Sequence, residues 1–458
     1  MKMQGLYIFF ITLALSVGSA TAESLRDAVR SAVTENPRGK ADRANIRAIA
    51  SELDESRRSF APQVDLFGDA GVQKRTSPTA SSVNGNGDEL FSREIGVRAS
   101  FLLFDGYERT NQVYRNAARL DGATFRLLTT GETLALNTVE AYVDVVRHRN
   151  LVAATKSNIA RHQEILRQIR ERVSGGKAPA SDRIQIEERV FAAEAVAAQV
   201  EVAARDAEAK YERIVGNKPR GKMHVPAVKN LPKRKNNLVA NAVQGNYAIK
   251  QANKNASQFS YEREIAKAGN MPRLSLDGRA TAGEDRDGTS GDETDLYVGL
   301  TLSWRLYDGG MTMARERTQA ERELEAEFQR DTIVRDVTEL AERAWNSYSG
   351  GLKRQVIIQR QLNSNRKIVN SYREEYELSK RSLLDVLDAE RARFNASFQL
   401  INVSAAARFS AYRMLAAMSR LAQHFGVSTG VTSASSDYEE RVTSSPSAIF
   451  DITIEPLQ

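Results

Sequence analysis

Asp385 and Asp388 stand three residues apart, so in a helix they share one face. Carboxylates held that close attract cations and, in a confined space, titrate as a coupled set. Two aspartates near a helix turn also serve simply to solvate the surface, and spacing alone does not decide between these roles. No other group of residues is spaced for chemistry. The four histidines, His148, His162, His224 and His424, are scattered without metal-ligand spacing. The absence of cysteine excludes disulfides, thiolate catalysis, thiolate metal sites and a lipidated N-terminal cysteine. There is no P-loop and no GxSxG nucleophile motif. The expectation is a protein without cofactor, metal or catalysis, whose energy comes from partners.

The elements that must carry the aspartates follow from the rest of the 458 residues. Lys2, the apolar stretch Leu6 to Val17 and Ala20-Thr21-Ala22 read as a secretory signal, residues 1–22, cleaved after Ala22. No later segment approaches the roughly 20 apolar residues of a membrane-spanning helix. The expected compartment is therefore the periplasm, the medium, or an outer membrane entered as strands. The net charge of +7 is interleaved with acids, which reads as solvated helix faces rather than a nucleic-acid surface.

The chain repeats itself. Asp105-Gly106 recurs as Asp308-Gly309, Ala141-Tyr142 as Ala344-Trp345, Asp182 as Asp385 and Glu187 as Glu390, each at a shift of 203. Upstream, Ala61-Pro62-Gln63-Val64-Asp65-Leu66 resembles Met271-Pro272-Arg273-Leu274-Ser275-Leu276 at a shift of 210. The organisation read from this is a first repeat over 23–215, a basic proline-containing linker over 216–235, a second repeat over 236–425 and a polar tail over 426–458.

Each repeat has the same order of parts. An amphipathic helix, about Ser24 to Phe60 and Lys235 to Asn270, leads through a proline into a period-two run. Strands are predicted at about 63–73 and 91–104, and at about 273–283 and 296–307, with turn residues such as Pro78 and Asn84-Gly85 between the first pair. Trp304 and Tyr307 at the end of the fourth strand suit an aromatic girdle at a membrane interface. A long helical hairpin follows in each half. Its first run, about 68 residues at about 1.5 Å each, makes a rod of about 100 Å with a near-heptad stripe. Four amphipathic strands cannot close a membrane barrel, but three copies bring twelve, which close around a water-filled lumen. The fold class is thus α+β. Four strands and long coiled-coil-like helices per protomer form a trimeric 12-stranded β-barrel continued by an α-helical barrel. The alternative is a periplasmic coiled-coil adaptor or structural protein, which needs one helical hairpin where this chain has two.

Leu103-Phe104-Asp105-Gly106, Leu306-Tyr307-Asp308-Gly309 and Ser382-Leu383-Leu384-Asp385-Val386-Leu387-Asp388-Ala389-Glu390 resemble the TolC family of outer-membrane ducts, over roughly Ser24 to Phe425. The resemblance implies a homotrimer in the outer membrane that extends into the periplasm. It would work with a periplasmic adaptor and an inner-membrane transporter as a passive exit duct for type I protein secretion, drug efflux or both. It places Asp385 and Asp388 in an acidic ring of six carboxylates at the periplasmic entrance. It also makes Tyr376 and Arg381 members of a lock that keeps the entrance shut, with partners at Ser181 and Asp182. Pro179 departs from the family's pattern at the first-half turn.

Overall fold

A computed structural model describes residues 24–76, 87–288 and 290–427. The signal segment, Pro78, Asn84-Gly85 and the tail beyond 427 lie outside the described residues. Those described form two compact units. Unit 1 takes residues up to 32, 137–229 and 350–409; unit 2 takes 33–136, 230–349 and 410 onward.

The leading helix of each repeat is two helices rather than one. In the first repeat these are α1 (Leu25–Glu35) and α2 (Pro37–Arg58). Asn36 breaks them by accepting the Arg38 amide at 3.0 Å, and Pro37, which has no N–H, suits the first turn that follows. Asn246 does the same at the matching place in the second repeat. It accepts the Ala248 amide at 2.9 Å between α5 (Lys235–Gly245) and α6 (Tyr247–Lys267).

In unit 2 the strands β1 (Gln63–Lys74), β2 (Glu89–Phe104), β3 (Arg273–Glu284) and β4 (Asp292–Ser303) form one antiparallel sheet in the order β1-β2-β3-β4. The register lines up rows across it. Leu66, Val97, Ala280 and Leu296 form one row; Val64, Ala99, Gly278 and Val298 form the next. Between them runs Asp65, Arg98, Arg279 and Tyr297. One face is therefore apolar and the other polar. The apolar face is bare: Leu296 is 77% exposed and Val298 71%. β4 spans 292–303, not 296–307. Its partner β3 starts at Arg273, directly after Pro272, so the sheet has no strand to pair with residues 304–307.

The duplicated Asp-Gly motifs start the two longest helices, α3 (Glu108–Ser174) and α7 (Met311–Glu377). Asp105 accepts the backbone N–H of Arg109 at 3.2 Å and its Nε at 2.7 Å; Asp308 accepts the Thr312 N–H at 2.8 Å. Gly106 and Gly309 both turn the chain at φ 71°. The second helices of the hairpins are α4 (Ala180–Val215) and α8 (Leu383–Ala417), and a short α9 (Leu421–His424) follows. No helix among the described residues is long and apolar enough to cross a membrane. Residues 216–234 hold no regular element, yet in unit 1 they are strapped down. Arg149 donates to the Pro219 and Gly221 carbonyls, and Arg408 to that of Val225.

In unit 2 the carboxylate of Glu132 on α3 accepts the amides of Leu421 and Ala422 at 2.9 and 3.0 Å. Burial outweighs these bonds and pushes the carboxyl up from 4.5 to about 7. A raised carboxyl stabilises the fold fully below its unfolded value and loses that contribution as pH rises through about 7. Glu132→Gln is therefore expected to flatten the fall in thermal stability between pH 5 and 8, a change of about 3 kcal/mol at most. Parallel melting curves for parent and variant across that range would refute it.

Candidate functional site

Two helical turns in unit 1 join α3 to α4 and α7 to α8, and their backbones match. Gly176 and Ser379, equivalent under the duplication, both adopt the left-handed conformation at φ 69° and 58°. The next amide then reaches back in each, Lys177 to the Arg172 carbonyl and Lys380 to that of Glu375, both at 2.8 Å. Beyond the turns the same ion pair staples the two helices of each hairpin: Arg170 to Glu187 at 2.9 Å and Arg373 to Glu390 at 2.5 Å.

The helix starts differ. Ser382 caps α8, its Oγ accepting the Asp385 amide at 3.3 Å, while Asp385 accepts the Ser382 amide at 3.4 Å and its hydroxyl at 2.8 Å. The equivalent of Ser382 is Pro179, whose side chain accepts nothing, so the Asp182 amide bonds the Pro179 carbonyl at 3.1 Å. The proline thus removes a cap.

The acidic pair is held in place but left half exposed. Asp385 sits in the cap with the Arg381 guanidinium 3.9 Å away. Asp388 has Arg391 at 3.4 Å and Arg189 of α4 at 4.0 Å. Either carboxylate still presents about half its surface, at 46% and 47%.

Arg381 donates Nε to Glu375 at 2.6 Å and lies 3.8 Å over the Tyr372 ring. That bond holds the Glu375 carboxyl below its usual range and raises the Arg381 guanidinium above its own. Among the described contacts none joins Arg381 to Ser181 or Asp182; Ser181 is simply exposed. Tyr376 packs on the core formed by Ile165, Ile169, Ile186, Leu383 and Leu387, with Arg172 4.9 Å over its ring. Burial pushes its phenol up; the charge of Asp182 adds to this and Arg172 opposes it. Tyr376 therefore feels the charge of Asp182 without a hydrogen bond to it among the described contacts, whereas Arg381 is held by Glu375 and Tyr372. Sequence reasoning missed both holders. The signal was there, since the reversed turn after Ser379 folds residue 381 back onto residue 375.

Trp304 and Tyr307 lie just past β4 and are exposed, with the Trp304 indole donating to the Asn270 carbonyl at 3.0 Å.

A family model described as outer membrane efflux protein matches residues 28–217 and 238–419, one segment for each repeat. The chain is 22% identical over 404 residues to the outer membrane efflux protein BepC of Brucella suis, covering 88% of this chain and 87% of that one. It is 24% identical over 429 residues to the outer membrane protein TolC of Vibrio cholerae, covering 87% and 92%. Among solved structures, the outer-membrane channel OprN superposes with a TM-score of 0.76 at 20% identity, covering 86% of this chain and 89% of that one.

Proposed function

The chain belongs to the outer membrane efflux protein family, and on that premise we infer how this particular channel assembles, gates and selects. It is an outer-membrane exit duct that reaches into the periplasm, and channels of the TolC family are trimeric and work with adaptors and inner-membrane pumps. Three copies of this chain close one barrel. The observation that carries this reading is the sheet itself. It has two open edges, β1 and β4, and an uncovered apolar face. Open edges are not tolerated in lipid, whereas twelve strands from three copies leave none. Trp304 and Tyr307 then lie at the lipid interface.

The duct catalyses nothing and moves its cargo, small molecules or unfolded polypeptide, on energy from its adaptor and pump. Its periplasmic mouth is ringed by Asp385 and Asp388 of each copy. In the resting state Tyr376 with Asp182, and Arg381 with Glu375 and Tyr372, keep the α7–α8 turn in place, and Ser181 stands beside them on the opposite turn. A lock of few contacts suits a mouth that a docking partner must open.

Purified trimers in a planar bilayer test the reading directly, since a duct conducts and an adaptor does not. Arg381→Ala is expected to raise the occupancy of the open level by about tenfold, because a charge-assisted bond and a ring contact are lost together. Unchanged gating would remove Arg381 from the lock while leaving the duct intact.

A further inference from the structure

Glu390 is fully buried in unit 1, and guanidinium groups from three helices converge on it. Arg373 of α7 donates to its Oε1 at 2.5 Å; Arg393 of α8 lies 2.6 Å from Oε2, and Arg161 of α3 lies 3.8 Å from it. Guanidinium groups stay charged in proteins, so one carboxylate faces three positive charges. The field of Arg366 adds a fourth at Arg393. Hydrogen bonding is incomplete as well. Arg161 Nε and Arg373 Nε are buried donors without an acceptor, while Arg393 Nη2 and Glu390 Oε2 face each other at 2.6 Å as an ion pair that makes no aligned hydrogen bond. Buried polar groups are nearly always paired, so two orphaned donors beside a strained ion pair ask for a further acceptor.

The hairpin staple does not require this excess. The first repeat makes the same clamp with Arg170 and Glu187 alone. Under the duplication, Val190 stands where the second repeat has Arg393, Gln163 where it has Arg366, and Ser364 where the first has Arg161. Two arginines beyond the duplicated pair, Arg161 and Arg393, thus meet Glu390, with Arg366 near Arg393, and no additional acid is ion-paired to them among the described residues. Burial lowers the proton affinity of Arg161 and Arg393; Glu390 opposes that shift, and the neighbouring arginines add to it. The side chains nevertheless keep part of their surface exposed, 41% for Arg373, 32% for Arg161 and 17% for Arg393.

We propose that Arg161, Arg373 and Arg393 form a binding site for a small inorganic oxyanion of phosphate or sulfate size, held beside the buried Glu390. Planar forks from three helices present paired N–H donors to a tetrahedral oxyanion, a geometry that guanidinium groups satisfy with two bonds each. The anion supplies the missing acceptors and offsets the surplus charge, tying α3 of the first hairpin to both helices of the second.

The test is calorimetric titration of the full-length trimer in detergent with inorganic phosphate, ionic strength held constant with chloride. One saturable site per chain is expected. Arg161→Gln with Arg393→Gln should weaken it by more than about tenfold, whereas Arg170→Gln at the first hairpin should leave it unchanged. Glu390→Gln removes the competing carboxylate and should tighten binding by about tenfold. No saturable binding to the parent, or equal binding to parent and double variant, would overturn the site. If the double variant does not fold, Glu390→Gln decides, and unchanged or weaker binding there overturns it too. Phosphate bound by dissociated chains but not by trimers would mean that a neighbouring copy's carboxylate fills the cluster, and the oxyanion site would fall.

Discussion

Replacing Asp385 and Asp388 together with asparagine is expected to weaken block by a trivalent cation, added from the periplasmic side of a planar bilayer, by about 100-fold or more. At a distance of about 8 Å, a trivalent cation gains roughly 1.5 kcal/mol from each carboxylate even in water. In the proposed ring, six carboxylates leave several kcal/mol after screening at about 0.1 M salt, and 100-fold needs only about 2.7 kcal/mol. Arg381, Arg391 and Arg189 near the two aspartates reduce the field but do not cancel it, since both side chains keep about half their surface free. Asparagine is preferred to alanine at position 385. Asp385 also belongs to the cap of α8 with Ser382, and alanine would cost that helix about 1 kcal/mol besides the charge. Pores blocked equally in parent and variant would keep the duct and discard the placing of these aspartates at its mouth.

The same residues mark how far the chain could be read without its structure. Strand periodicity located β1 to β3 within two residues of their bounds, because an alternating pattern at Val64, Leu66 and Val72 or at Ile95, Val97 and Ala99 has one physical meaning. β4 slipped by four residues because its end depends on where Pro272 lets the neighbouring strand begin, which is a property of another segment. The break at Asn36-Pro37 was missed, although the proline signals it. The equal break at Asn246 carries no proline, and only the duplication links the two. In the candidate site, Asp182, Asp385, Glu187 and Glu390 stood out as repeat-matched acids. Their partners did not stand out, since Arg373 reaches Glu390 from the other helix of its hairpin and Arg161 from the other repeat. Glu132 lay further out of reach, because its raised carboxyl depends on burial against a helix start 289 residues away.

Phe191→Glu is expected to abolish the trimer, read as a shift from trimer to monomer in detergent by light scattering. Within one protomer α3 and α8 meet through shared core at Ile165 and Leu387 and through Arg147 to Asn402 at 3.1 Å. Exchanging each helix for its equivalent in the other repeat turns α3 into α7 and α8 into α4. In a closed ring of repeats, α4 of one copy must therefore meet α7 of the next, as α8 meets α3 inside a copy. Leu387, Phe394 and Ile401, spaced as a heptad, become Ile184, Phe191 and Ala198, and Ile165 becomes Ile368. In the single chain Phe191 is 67% exposed, Ile184 60% and Ile368 41%, a stripe with no occupant in its own protomer. Burying one such side chain is worth about 1.5 to 3 kcal/mol, and a glutamate left unpaired there adds several more. Repeated at three interfaces, that exceeds what a stable ring spares. Val356→Glu is the control. Val356 is exposed, at 53%, and its equivalent in the first repeat, Ala153, is exposed as well, so the same exchange buries neither. A trimer that survives Phe191→Glu would mean that the copies do not close in the way their own repeats do.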